Sequence, residues 1–242
     1  MSDRLLPGYA WTVCRCDASV WWHRSEGPVL GVESFTPGGW SSSVPADGGR
    51  GNAWFVQDVQ QRCVLRRYLR GGLVARLSRD RYVYSGMSRT RPFRELSLLH
   101  ELERIGLPVP PPVGALVDRV GMFYRAALLT AAIDDATSVG ARLRRGTLCA
   151  EDMQRAGRCI RRFHTAGVWH ADLNADNILL TDDSVYLIDF DRGERRAGTH
   201  WQQGNLDRLA RSLDKLSILK SSYRLDATLW LALMDGYRSV QS

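Results

Sequence analysis

The stretch from Val168 to Asp191 constrains this chain more than any other. Its first apolar run, Val168-Trp169, stops at His170, followed by Asp172 and then by Asn177. Its second, Val185-Tyr186-Leu187-Ile188, stops at Asp189-Phe190-Asp191. Apolar runs that end at carboxylates and an amide hold polar side chains on strand ends and on the loop joining them, which is the make-up of a site rather than of packing. Ile178 to Leu180 and Val185 to Ile188 read as a hairpin turned by Thr181-Asp182-Asp183-Ser184. Such a hairpin brings Asn177 and Asp189 side by side at one end.

The pattern H-x-D-x-x-x-x-N, then a strand, then D-F, has the spacing of the catalytic and metal loops of kinases. Phosphoryl transfer needs positioning, charge neutralisation on the phosphates, and a carboxylate to take the proton of the attacking hydroxyl. Asp172 stands where that base belongs. Asn177 and Asp189 offer the hard oxygens that suit Mg²⁺. His170 is expected to brace the loop. Asn174 occupies the place where Ser/Thr kinases usually carry a lysine, and it joins Asp172 and His170 in the catalytic set. Asp191 replaces the glycine of D-F-G. The competing reading, a surface hairpin with acidic ends, does not explain why both halves occur in order.

The chain is long enough, at 242 residues and 44% apolar, for one two-lobed enzyme. No run of about 18 apolar residues occurs, so no membrane span is expected. The N-terminus lacks the long apolar segment of a signal peptide. Cys14, Cys16, Cys63, Cys149 and Cys159 are odd in number and include no CxxC pair, which points to neither a disulfide framework nor a zinc site and fits a reducing cytoplasm. A net charge of +7 favours anionic partners. The basic residues are almost all arginine, and the lysines are Lys215 and Lys220 alone.

Upstream, the aromatics of residues 1–45 read as packing, and Asp17 to Trp22 as the start of a short helix capped by Asp17. Gly49 and Gly51, in Gly48-Gly49-Arg50-Gly51, precede a strand at Ala53 to Val56. Glycines there let backbone N–H groups approach phosphate oxygens. The following strand, Cys63 to Tyr68, should carry the cation for the α and β phosphates, and with no lysine nearby it must be Arg66 or Arg67. The two point to opposite faces. The smaller Val64 beside Arg66 leaves more room for a purine and favours Arg66. Leu73 to Tyr84 reads as an irregular or helical basic insert. Thr90 to Glu103 is a helix capped by Thr90, with Phe93, Leu96, Leu99 and Leu102 at helical spacing and Gly106 as its stop. Glu95 on that helix is the candidate partner of the phosphate-binding arginine.

Val113 to Val120 and Met122 to Leu129 read as strands, and Thr130 to Asp135 as a hinge, with backbone groups around Leu129 contacting adenine. Helices are expected over Ser138 to Arg145, Leu148 to Ala166, Leu206 to Leu219 and Leu225 to Val240. Arg192, Arg195 and Arg196, just past the metal loop, are placed to grip an anionic acceptor. The fold expected is α+β and two-lobed, protein-kinase-like: an antiparallel-sheet N-lobe over 1–129 and a short, mainly helical C-lobe over 130–242. Only 53 residues follow Asp189, short for an activation segment and protein-docking helices, so a small or glycolipid acceptor is expected.

The chain resembles the 3-deoxy-D-manno-octulosonic acid (Kdo) kinases. The resembling stretches are Gly49 to Gly51, Leu65 to Tyr68 with Arg70 to Leu73, Gly106 to Pro110, His170 to Leu180, Leu187 to Gly193, Asn205 to Leu209 and Arg211 to Leu213. The resemblance implies ATP- and Mg²⁺-dependent phosphorylation of the Kdo 4-hydroxyl on Kdo-lipid IV(A), by a peripheral enzyme at the cytoplasmic face of the inner membrane. It implies the active-site role for Asp172 and favours Arg66 over Arg67. No nucleic-acid or protein partner is implied, whereas association with anionic membrane is. Heptose phosphorylation is the nearest alternative. An aminoglycoside acceptor, being cationic, conflicts with Arg192, Arg195 and Arg196. A non-catalytic basic scaffold would have no need of Asp172, Asn177 and Asp189 together.

Overall fold

Apolar runs over residues 11–131, broken by short polar turns, build strands, and the 3.6-residue periodicity of later segments builds helices. The computed structural model describes residues 11–46, 52–59, 61–69, 80–219 and 227–239. The chain separates into two units, Met1–Glu101 with Pro111–Ala132, and Leu102–Pro110 with Ile133–Ser242.

The first unit is an antiparallel sheet with a helix. Its strands are β1 (Trp11–Cys16), β2 (Ser19–Arg24), β3 (Ser42–Pro45), β4 (Ala53–Gln57), β5 (Arg62–Arg67), β6 (Tyr82–Val83), β7 (Pro112–Val120) and β8 (Phe123–Ala131). They lie in the order β1-β2-β7-β8-β5-β4-β3, with β6 on β8. The expected helix at Asp17 is replaced by a hairpin, in which Cys16 pairs with Ser19 and Asp17 takes a left-handed φ of 50° at the turn. Aspartate tolerates that region. Strand β2 is paired on both edges and carries Trp21 and Trp22, both buried, on successive positions. Cys63 and Leu65 of β5 join Trp21, Leu30, Phe35 and Leu129 in one core. Gly49, Gly51 and the stretch 70–79 lie outside the described residues. Where the basic insert is described, Tyr82-Val83 is a short strand.

Helix α1 (Arg91–Arg104) buries Phe93, Leu96, Leu99 and Leu102, the stripe its periodicity predicts. The Thr90 hydroxyl donates to the Met87 carbonyl (2.7 Å), and the Thr90 carbonyl accepts the Arg94 amide (3.1 Å).

The second unit begins with β9 (Thr137–Ser138) and α2 (Val139–Arg145), whose Ser138 hydroxyl accepts the Ala141 amide at 3.0 Å and whose end is Gly146 at φ 74°. Helix α3 (Ala150–Thr165) follows, then β10 (Val168–Trp169), β11 (Ile178–Leu180), β12 (Val185–Leu187), β13 (Glu194–Arg195), α4 (Gln202–Leu219) and α5 (Ala227–Ser239). β11 pairs with β9 and β12, and β10 with β13. Arg155 of α3 donates to the carbonyls of Thr181 (2.8 Å) and Ser184 (3.3 Å), which fixes the β11–β12 turn. Residues 102–110 group with this unit because Arg162 donates to the Gly106 carbonyl (2.8 Å) and Leu187 to that of Pro108 (3.1 Å).

Candidate active site

In the first unit, strand alternation puts Val64, Arg66 and Tyr68 on one face of the chain and the fully buried Cys63 and Leu65 on the other. The Arg66 guanidinium pairs with Glu95 Oε1, and the Tyr68 hydroxyl donates to Glu95 Oε2 at 2.6 Å. Arg66 also lies 4.7 Å over the Tyr68 ring. The Glu95 carboxylate is buried, so both its oxygens need donors, and the two neighbours supply them. Of the two arginines left open by the sequence, Arg66 is the one that meets Glu95. The Arg67 amide is held by the Asn52 carbonyl at 2.8 Å.

Leu129 does not serve as the hinge residue expected of it. It is fully buried and paired on both sides, to Leu65 and to Gly114. A residue inside a two-sided ladder has no backbone group left for a base. The ladder continues through the Ala131 and Ala132 amides, bonded to the carbonyls of Pro111 (2.8 Å) and Arg62 (3.0 Å).

In the second unit, the segment 170–177 is tied together by its own side chains. His170 is buried, and burial lowers its pKa, which keeps the ring neutral. Nε2 lies 2.9 Å from the Ile188 carbonyl and Nδ1 lies 3.2 Å from the Asp172 amide. A neutral imidazole satisfies both only with its proton on Nε2. His170 thus braces the loop that carries Asp172 against the strand that leads to Asp189. The ring packs on Phe190 at 4.7 Å, and Phe190 in turn stacks on Phe163 of α3 at 5.7 Å.

Asn174 caps the turn at Ala175–Asn177, accepting the amides of Asp176 (2.9 Å) and Asn177 (3.2 Å). Its Nδ2 donates to Oδ2 of Asp172 at 3.1 Å. Asn174 is therefore a positioning residue for the carboxylate. The Asn177 amide donates through Nδ2 to the Asp172 carbonyl (2.9 Å), which leaves Oδ1 as the atom a metal could take. The Ile188 amide bonds to the Asn177 carbonyl (3.1 Å), extending the hairpin ladder to the threshold of Asp189. Asp189 adopts φ 62°, and this left-handed turn leaves its side chain exposed while Phe190 is fully buried. An amide oxygen and a carboxylate, completed by phosphate and water oxygens, suit Mg²⁺. Among the described residues no cluster of three or more His, Cys, Asp or Glu exists that would suit a more tightly caged metal.

The three arginines past Asp191 separate. Arg192, at φ 62°, and Arg195 are exposed. Arg196 is engaged locally instead: it pairs with Glu194 at 2.7 Å and stacks 3.5 Å over Trp169. These contacts tie Arg196 to the β10–β13 pair.

Sequence reasoning missed the contribution of α4. Asn205 accepts the His170 amide (3.2 Å) and donates to its carbonyl (2.9 Å). Ser212 accepts the Ala175 amide at 3.2 Å, and Arg208 pairs with Asp172 Oδ1 at 2.6 Å. The available signal was a polar stripe, 205, 208 and 212, at helical spacing beside the apolar stripe Leu206, Leu209 and Leu213. Tyr68 was missed as well; its position two residues past Arg66 on one strand face was the cue.

The family model described as "Lipopolysaccharide kinase (Kdo/WaaP) family" matches residues 41–237. Proteins of Xylella fastidiosa and Xanthomonas axonopodis pv. citri, both named 3-deoxy-D-manno-octulosonic acid kinase, are 46% identical over 186 residues and 47% over 195. Each alignment covers 75% of this chain and 74% of the relative. Among solved structures, a glucosamine kinase superposes with a TM-score of 0.51 at 15% identity, covering 97% of this chain and 80% of its own. An aminoglycoside-3'-phosphotransferase of type VIII superposes with a TM-score of 0.52 at 18% identity, covering 82% of this chain and 87% of its own. These likenesses establish the fold as protein-kinase-like, α+β, with an antiparallel-sheet part and a mainly helical part.

Proposed function

The chain belongs to the lipopolysaccharide kinase (Kdo/WaaP) family and is an ATP-dependent kinase, and from that membership we propose that it phosphorylates the 4-hydroxyl of the Kdo residue of Kdo-lipid IV(A). The observation that carries this reading is the loop 170–177, in which Asn174 bonds to the Asp172 carboxylate, Asn177 bonds to the Asp172 carbonyl, and the Ile188 amide, next to Asp189, bonds to the Asn177 carbonyl. Asp172 accepts the proton of the sugar hydroxyl as that oxygen attacks the γ-phosphorus of ATP. Asn177 Oδ1 and the Asp189 carboxylate would hold Mg²⁺, which when bound would neutralise phosphate charge. Arg66, aimed by Glu95 and Tyr68, supplies the cation for the α and β phosphates in place of the usual lysine. A guanidinium fork grips both carboxylate and phosphate oxygens more rigidly than an ammonium.

Support for Kdo as the acceptor comes from the relatives' names, and from a net charge of +7 with Arg192 and Arg195 exposed just past the metal loop, which suit an acidic glycolipid. That acceptor places the enzyme peripherally at the cytoplasmic face of the inner membrane. No helix among the described residues is long and apolar enough to cross a membrane.

The test is a transfer assay with γ-labelled ATP, Mg²⁺ and either Kdo-lipid IV(A) or a heptosylated lipid A core. The proposal predicts label in the Kdo-lipid alone. Label in the heptose, with none in Kdo-lipid IV(A), would replace it with the heptose-kinase reading.

A further inference from the structure

Asp172 is engaged at both oxygens: Oδ1 by Arg208 Nη2 at 2.6 Å, Oδ2 by Asn174 Nδ2 at 3.1 Å. The two contacts differ in kind. Asn174 sits two residues away on the same loop, whereas Arg208 comes from α4. On α4, the neighbours of Arg208 along the polar stripe clamp only backbone. Asn205 takes both backbone groups of His170, and Ser212 takes the Ala175 amide. The loop is therefore anchored to the helix on either side of Arg208 without any charge. The arginine adds little to that anchorage. Its side chain is 40% exposed and that of Asp172 52%, and ion pairs this open contribute little to stability.

What Arg208 adds is chemistry. The hydroxyl to be phosphorylated must come within about 2.6–3.2 Å of an Asp172 oxygen, and Arg208 stands at one of them. Any acceptor poised for transfer thus brings its neighbouring groups alongside this guanidinium. The guanidinium is a planar fork of five donors whose geometry matches a carboxylate. It projects from a helix pinned to the loop, and side chains on rigid elements recognise ligands more sharply than those on loops. Arg192 lies on a turn and Arg195 on a two-residue strand, both exposed.

We propose that Arg208 is the ligand of the acceptor's carboxylate: in the free enzyme it is parked on Asp172, and an acidic sugar draws its fork away as the hydroxyl takes the vacated place at Oδ1. The ion pair then acts as a selectivity device, since a neutral sugar offers nothing to replace Asp172 as partner. This assignment rests on the acidic-acceptor reading given above.

The test compares wild type, Arg208→Ala and Arg208→Lys on Kdo-lipid IV(A) and on its carboxyl methyl ester. Wild type should prefer the acid by about 10- to 100-fold in kcat/KM, the worth of a charge-assisted hydrogen bond. Arg208→Ala should lose that preference, chiefly through a raised KM for the acid, with the KM for ATP unchanged. Arg208→Lys, which keeps the charge but not the fork, should retain part of it. If Arg208→Ala keeps the full preference and loses kcat equally on both acceptors, Arg208 merely positions Asp172 and the proposal is overturned while the acceptor reading stands. If wild type transfers to neither acceptor, the acceptor reading falls and takes this assignment with it.

Discussion

Each oxygen of Glu95 is taken, one by Arg66 and one by Tyr68, and the carboxylate is buried. Tyr68→Phe removes one charge-assisted hydrogen bond and should lower stability by about 1.5–3 kcal/mol. Glu95→Ala removes the buried carboxylate that pairs with Arg66; it should lose on the order of 3 kcal/mol and raise the KM for ATP. Urea unfolding and ATP titration check both variants, and an unchanged KM for ATP in Glu95→Ala would detach Arg66 from the phosphates. For Asp172, replacement by Asn keeps the shape and removes the proposed base. Turnover should fall by about 10²- to 10⁴-fold with ATP affinity little altered, as read by stopped-flow transfer and equilibrium binding. Asp172, Asn177 and Asp189 were conspicuous in the sequence because they follow or precede apolar runs at fixed spacing. Arg208 was not, because its contact with Asp172 joins positions far apart in sequence, and helical periodicity alone does not say what a polar stripe will touch.

At the level of elements, helices α1, α2 and α3 were readable because each combines a cap or a stop with a period of 3.6. The hairpin 178–187 was readable from its turn residues. The β1–β2 hairpin was not: its turn is Asp17-Ala18 rather than a glycine-bearing pair, and the double-sided burial of Trp21 and Trp22 erases the alternation that marks a strand. Leu129 failed for a related reason, since the sequence does not reveal where a ladder ends. Helices α3 and α5 cross at bare backbone. A Cβ on Gly157 would fall 2.0 Å from the Leu233 carbonyl oxygen, and one on Gly236 2.0 Å from that of Gln154. Neither backbone can yield, so Gly157→Ala and Gly236→Ala should each destabilise by about 1–3 kcal/mol. Gly204 on α4 has nothing within 4 Å of such a Cβ, and Gly204→Ala should instead stabilise by about 0.5–1 kcal/mol. Thermal unfolding of the three variants decides; equal shifts in all three would refute the close crossing.

For the molecule as a whole, the buried histidines His164 and His170 make stability sensitive to acid. Burial lowers the His164 pKa from 6.5 to about 4, and that of His170 in the same direction. In the unfolded chain both regain ordinary basicity, so below pH 6.5 the unfolded state binds more protons. Stability is therefore full above about pH 6.5 and is lost as pH falls towards 4, by about 3 kcal/mol from His164 alone. Denaturant midpoints measured from pH 7.5 to 4.5 should decline through this window, and a flat profile would contradict the burial of neutral imidazoles. The chemistry proposed is transfer of phosphate to an acidic sugar by a kinase-like frame that carries arginine where others carry lysine. The most direct measurement is the mass and phosphate position of the product formed from Mg-ATP and Kdo-lipid IV(A). The account predicts a single phosphate on the 4-oxygen of Kdo, absent when Asp172 is replaced by Asn. A phosphate elsewhere on the lipid, or one that forms equally without Asp172, would contradict it.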